Sequence, residues 1–226
     1  MLKTKKAIVV VHSGGMDSSI CLALAIKKYS ADEVLSLSFR YGQRHSPELI
    51  QAKKISEEWN VDHIELSIDC LQEITDNALM NTDMVIDYTE QVPNTLVLGR
   101  NGLMARIAAI HAHSLGAKKI ALGVMGLEEA NSGYRDCSRR YMNLMEEILR
   151  IDLDDESFEV LTPLVDMTKA ETMKLADELG VLDYLLENTI TCYEGLPKEG
   201  CKVCPACKLR NEGILEYRQT QYATSL

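Results

Sequence analysis

Nowhere does this 226-residue chain carry an apolar run approaching the roughly eighteen residues that cross a membrane. Nor does it open like a secretory leader, because the apolar stretch after the N-terminal lysines, Ala7–Val11, is too short and runs into a glycine loop. A cytoplasmic location without membrane contact is the expectation. Basic residues are in the minority, 24 Lys and Arg against 34 Asp and Glu, for a net charge of -10. That balance argues against wrapping a nucleic-acid backbone, where affinity comes from Lys and Arg neutralising phosphates. It leaves room for a nucleotide substrate, which needs only local donors and a metal ion. Internal repeats and linkers are missing too, so one principal domain with a small C-terminal module is the simplest division. Two phosphate-binding fingerprints are also absent: Gly-x-Gly-x-x-Gly, and the loop that ends in Gly-Lys-Ser/Thr.

What the chain does have is alternation. Ala7–Val11 and Lys119–Val124 read as buried strands, and Glu33–Phe39 and His63–Ser67 as further strands. Between and after them, 17–26, Pro47–Trp59, Asn101–Ser114, Ser138–Leu149 and Thr168–Leu179 read as helices. Pro47 suits an early helical position, and Thr168 with Glu171 forms a capping box. This order predicts an α/β fold, a parallel sheet covered by helices on both faces. The acidic stretch Ile151–Glu159 reads as a solvated connection, and 68–98 as a loop with one short helix.

Ser13-Gly14-Gly15-Met16-Asp17-Ser18 sits between the first strand and the first helix. Glycines allow the tight turn and let backbone N–H groups approach an anion, while the serines add donors and the helix start adds partial positive charge. Asp17 suits orienting the loop or holding Mg²⁺ near the phosphates. Near the other end, four of the seven cysteines cluster as Cys192, Cys201, Cys204 and Cys207. In a cytosolic setting that spacing reads as a metal site before a disulfide framework. Zn²⁺ is the natural occupant, and an iron–sulfur cluster accepts the same ligands. Residues 1–190 are therefore read as the catalytic unit, and 191–226 as a metal module with a short helix beginning near Cys207. Lys202, Lys208 and Arg210 ride on that module and face either solvent or substrate.

The glycine loop resembles the pyrophosphate loop of the ATP pyrophosphatases. Over nearly the whole chain, the ordered motifs resemble the 7-cyano-7-deazaguanine synthase family of queuosine precursor synthesis. They are Ser13–Ser18, Tyr41-Gly-Gln-Arg-His45, Gly99-Arg-Asn101, Ser132-Gly-Tyr134 with Asp136-Cys137, Thr162-Pro-Leu164 with Lys169-Ala-Glu171, Thr191-Cys-Tyr193 and Gly200–Arg210. The resemblance implies an adenine nucleotide alpha hydrolase-like, Rossmann-like fold. It implies that ATP, with Mg²⁺, activates 7-carboxy-7-deazaguanine toward ammonia through an adenylated acid and an adenylated amide, giving the nitrile. It also implies Zn²⁺ on the four cysteines and a homodimer. Ser13, Gly14, Gly15, Asp17 and Ser18 would form the first layer around the phosphates, with Arg100 and Lys169 as further catalytic contacts. Tyr134, Asp136 and Arg44 would meet the substrate, and Cys137 would be a wall residue because no covalent nucleophile is needed. His12 stands where the family usually has an aromatic residue and reads as strand-end packing. Ala130, Asn131, Arg135 and Ser138 also depart from the family pattern, all around the expected base pocket. The alternative they raise is a diverged ligase that joins a similar acid to another amine, including one on a protein.

Overall fold

The computed structural model describes the chain apart from residues 1–4, 43–46, 76, 79, 81–83, 85, 88–93, 128–133 and 225–226. Five strands, β1 (Ile8–Val11), β2 (Val34–Arg40), β3 (Asp62–Ser67), β4 (Lys119–Leu122) and β5 (Glu159–Leu161), pair in parallel in the order β3-β2-β1-β4-β5. The α-helices that follow from the described residues are α1 (Met16–Tyr29), α2 (Pro47–Glu58), α3 (Cys70–Ile74) and α4 (Arg100–Ser114). Beyond them come α5 (Arg139–Leu153), α6 (Lys169–Glu178), α7 (Leu182–Asn188) and α8 (Pro205–Thr224).

Successive strand residues point to opposite faces, and this sorts the core in two. Val9, Leu35, Leu37, Ile120 and Leu122 pack with residues of α4 and α5. Ile8, Val10, Val34 and Ala121 pack with α1, α6 and α7. Both faces are covered, which is why these strands read as continuous apolar runs rather than alternating ones. From β1 the sheet grows one way through β2 and β3, and the other way through β4 and β5. The connections therefore leave to opposite sides between β1 and β4, and the carboxyl ends there open a crevice, the usual place for a ligand in such sheets.

The Thr168 capping box forms as its spacing predicts: Glu171 N–H donates to the Thr168 hydroxyl at 3.2 Å, and Thr168 N–H to the Glu171 carboxylate at 2.7 Å. The acidic stretch is more ordered than its composition suggests. Helix α5 runs on to Leu153, and Glu159 opens β5 beside β4. Its carboxylates find cations, Asp152 pairing with Arg106 at 2.9 Å and Asp155 with Lys118 at 3.1 Å. The C-terminal helix is also longer than expected, 20 residues from Pro205, because Ile214 and Tyr217 pack into the core beside α6. Gly213 lets the two helices approach, since a Cβ there would lie 2.6 Å from Lys169 Cγ.

Candidate active site

The crevice is a cavity of about 330 Å³. Its walls come from the carboxyl ends of β1, β2 and β4, from the first turns of α1, α2, α4 and α6, and from Cys192, Tyr193 and Ala206 of the cysteine segment. The glycine loop is held by its own serines. Ser18 Oγ accepts from Ser13 N–H at 3.1 Å and donates to the Gly15 carbonyl at 3.1 Å, and Ser13 Oγ accepts from Gly15 N–H at 3.3 Å. Gly14 has φ +82°, and a Cβ there would overlap the Glu48 carbonyl, so the loop rests directly on the start of α2. Helix α1 has no side-chain cap. Its first N–H groups therefore lack the usual partner and favour an anion in the cavity.

Two cations sit where local electrostatics disfavours them. Arg100 and Lys169 are the first residues of α4 and α6, at the positive ends of those helices. Lys169 is 5% exposed, and its ammonium pairs with Asp17 and lies 3.7 Å from Met125 Sδ. Arg100 stacks near the Tyr41 and Tyr134 rings, with centroids 5.6 and 5.9 Å away, and donates to Tyr41 Oη at 3.1 Å. Burial works against the Arg100 charge, but Tyr41, Tyr134 and Asp136 outweigh it, so the guanidinium stays protonated. Departures of this kind from local preference are expected where a site is built for a ligand.

Ser13, Gly15, Asp17, Ser18, Arg100, Tyr134 and Lys169 all line this cavity. Gly14 lies beneath it, and Arg44 lies outside the described residues. Asp136 sits one layer behind the wall: its Oδ2 accepts from Asn101 N–H at 3.0 Å in the first turn of α4. Its Oδ1 is buried and has no hydrogen-bond partner among the described residues. Beside it, burial and then Asp136 push the Cys137 thiol up to about 12. Cys137 therefore remains a thiol, a poor nucleophile, as its reading as a wall residue requires.

Two residues exceed their sequence readings. His12 is polar structure rather than strand-end packing. Its Nε2 lies 3.0 Å from Ser19 Oγ, its Nδ1 3.0 Å from Ser36 Oγ, and Ser36 Oγ 3.0 Å from His63 Nδ1. Because Ser19 Oγ donates to the Gly15 carbonyl at 2.8 Å, it must accept from His12 Nε2–H. His12 Nδ1 then accepts from Ser36, which accepts from His63. Burial and His63 hold His12 down to about 3, so the neutral ring ties the sheet to the glycine loop. The second residue is Glu48, a partly buried carboxyl on the cavity wall. Burial pushes it up to about 7 against the pull of Arg100. Its one sequence signal was its place in the second position of a helix beginning at Pro47.

At the rim, the Sγ atoms of Cys192, Cys201, Cys204 and Cys207 all lie within 4.8 Å of one another. Backbone N–H groups of Glu194, Cys204 and Cys207 point at Cys192, Cys201 and Cys204 sulfurs at 3.4, 3.3 and 3.4 Å. Such donors favour thiolates and orient them, so this set fits a metal ion. Lys202 and Lys208 are exposed away from the cavity. Arg210 is buried and donates to the Leu186 carbonyl at 2.9 Å and to that of Lys198. None of these three residues lines the cavity. No helix among the described residues is long and apolar enough to cross a membrane.

Residues 6–218 match the family described as Queuosine biosynthesis protein QueC. The 7-cyano-7-deazaguanine synthase of Clostridium botulinum (strain Loch Maree / Type A3) is 42% identical over 218 residues, 95% of this chain and 97% of that protein. The same-named protein of Clostridium botulinum (strain ATCC 19397 / Type A) is 41% identical over an equal span, again 95% and 97% of the two chains. Among solved structures, the U34-tRNA thiolase NcsA from Methanococcus maripaludis aligns with a TM-score of 0.51 at 16% identity, over 79% of this chain and 58% of that one. That likeness shows a shared fold.

Proposed function

The chain belongs to the QueC family of queuosine biosynthesis proteins, and from that premise we propose that it converts 7-carboxy-7-deazaguanine and ammonia to 7-cyano-7-deazaguanine. ATP is split to AMP and pyrophosphate at each of two activations. The observation that carries the reading is electrostatic. Three helix starts and two cations, Arg100 and Lys169, meet in one cavity that holds the glycine loop. Such a cavity suits a polyphosphate together with a carboxylate.

Ammonia does not displace hydroxide from a carboxylate at a useful rate, so AMP must be attached first as the better leaving group. Ser13, Gly14, Gly15 and Ser18 hold the departing phosphates, and Lys169 turns from Asp17 toward them as charge builds. Asp17, released, would hold Mg²⁺, which supplies charge neutralisation when bound. Arg100 serves as a further contact to phosphate or the substrate carboxylate. Tyr134, Asp136 and Arg44 receive the flat base, Asp136 through the Oδ1 that has no partner among the described residues. The neighbouring cysteine segment helps exclude water, which would hydrolyse an acyl adenylate.

Residues 1–190 act as the catalytic unit, and 191–226 as a clamp closed by Zn²⁺. A single tetrahedral ion with Zn–S near 2.3 Å needs sulfurs roughly 3.8 Å apart, and Cys201 and Cys207 stand at 3.9 Å. A cubane spreads its thiolates farther. The chain works in the cytoplasm as a homodimer. Leu144, Ile148 and Ile151, at helical spacing on α5, are 55%, 40% and 78% exposed and support that face as the contact.

The test is to incubate the purified protein with ATP, Mg²⁺, ammonium and 7-carboxy-7-deazaguanine and weigh the products. Nitrile with AMP is expected. An amide that accumulates, or that forms only with another amine, would indicate the diverged ligase instead. No acid-dependent AMP would exclude both.

A further inference from the structure

Glu48 has no task in the phosphate chemistry, yet it lines the cavity. Its carbonyl rests against Gly14, so the side chain leaves α2 beside the phosphate loop. Asp17 and Asp136 are engaged with Lys169 and Asn101. Among the described residues the Glu48 carboxyl has no hydrogen-bond or ion-pair partner, and the nearby Arg100 gives its Nη1 donor to Tyr41. A carboxyl held in a cavity wall without a partner is costly to keep there for stability alone.

The reaction proposed above leaves protons to be removed. The nitrogen must shed every proton it brings before it becomes a nitrile. Lys169 and Arg100 are cations, Cys137 stays a thiol, and the four clustered cysteines are committed elsewhere. Solvent is the competitor that an adenylate site must keep out.

We propose that Glu48 is the base that takes these protons, a role that rests on the proposed function. As ammonia attacks the acyl adenylate, the C–N bond forms and the nitrogen becomes cationic. Its proton passes to the Glu48 carboxylate, the carbonyl re-forms, and the C–O bond to AMP breaks with its electron pair staying on the phosphate oxygen. After the amide oxygen is adenylated, Glu48 removes the N–H protons while AMP leaves and the C≡N bond completes. Each proton goes on to solvent, and no oxidant or reductant is needed. Among the described residues, the groups around Glu48 are Arg100 of α4 and Tyr41 beyond β2, with Asp17 and Lys169 lining the same cavity. Burial holds the carboxyl near 7, so it is available as a base at neutral pH.

Glu48→Gln separates the steps. Exchange of labelled pyrophosphate into ATP, with the acid present and no ammonium, reads adenylation alone. It should stay within about threefold of the unmodified protein, while amide formation from ammonium falls on the order of 100-fold. The unmodified protein should also show an amide rate that rises with pH through about 7 at constant free ammonia, and the variant should lose that rise. Equal loss of exchange and amide formation, or no loss of either, would overturn the role. If the Gln chain does not fold, Glu48→Asp decides: a displaced rise supports the role and an unmoved one overturns it. Absence of acid-dependent exchange in the unmodified protein would instead remove the function on which the role rests.

Discussion

The cysteine cluster and the cavity it borders are built on opposite terms. In the cluster, the sulfurs already receive backbone N–H groups, and Arg210 secures the segment by bonding carbonyls of Leu186 and Lys198. One ion would complete it and leave no open coordination position. In the cavity, Lys169 and Arg100 stand at the wrong ends of helix dipoles and α1 is uncapped; among the described residues, the Glu48 carboxyl and, behind the wall, one oxygen of Asp136 lack partners. Only a polyanion and a polar substrate would satisfy that set. The difference teaches that the chain places its stability in one region and holds its chemistry, unsatisfied, in the other.

The two regions should fail differently when altered. Cys204→Ala should bring the largest effect, weakening metal binding by more than the roughly 100-fold typical of losing an outer-shell partner. Metal content per chain and a thermal melt would read it, with the C-terminal segment loosened. A Cys204→Ala chain that keeps its metal and melting point would break the comparison. Asp17→Asn should cut pyrophosphate release by about 100- to 1000-fold while leaving metal content unchanged. Comparable release by the variant would remove Asp17 from the site.

Gly213→Ala tests a place where the two regions touch. Its methyl would press on Lys169, costing about 1–3 kcal/mol by urea unfolding and lowering turnover through a displaced ammonium. Unchanged turnover would mean that the clamp and the cavity are independent. At neutral pH the smallest effect is expected at His12, whose contribution changes only on acidification. Its folded pKa is depressed from the ordinary 6.5 to about 3, so its stabilisation is fully present above 6.5 and is lost as pH falls toward 3. The loss is about 1.4 kcal/mol per pH unit below 6.5. His12→Gln, which can keep both hydrogen bonds but does not titrate, should lack that slope. An identical slope in both proteins would show that His12 does not set it.

The features that could be read from sequence were those whose parts lie close together along the chain. The glycine loop spans six consecutive residues, and Cys201, Cys204 and Cys207 lie within seven, so spacing alone conveys their chemistry. The strand and helix order was legible because β1, β2 and β4 are largely apolar runs between turn signals, and His63–Ser67 alternates apolar with polar residues. By contrast, β5 is three residues long with an acidic first residue, and pairing with β4 rather than composition makes it a strand. The Tyr41–Arg100–Tyr134 stack and the Ser19–His12–Ser36–His63 chain join residues from separate elements, so no local pattern announces them. Asp136 was read as a base contact from its motif. Its place at the start of α4 needed the fold, because the hydrogen bond to Asn101 spans 35 positions.

The central claim is that one cavity activates the same carbon twice with ATP. The most direct measurement counts AMP formed per nitrile produced, with the amide followed in the same samples. The account predicts that the amide rises and then falls, and that two AMP accompany each nitrile. A final product carrying one AMP, with the amide persisting, would contradict it.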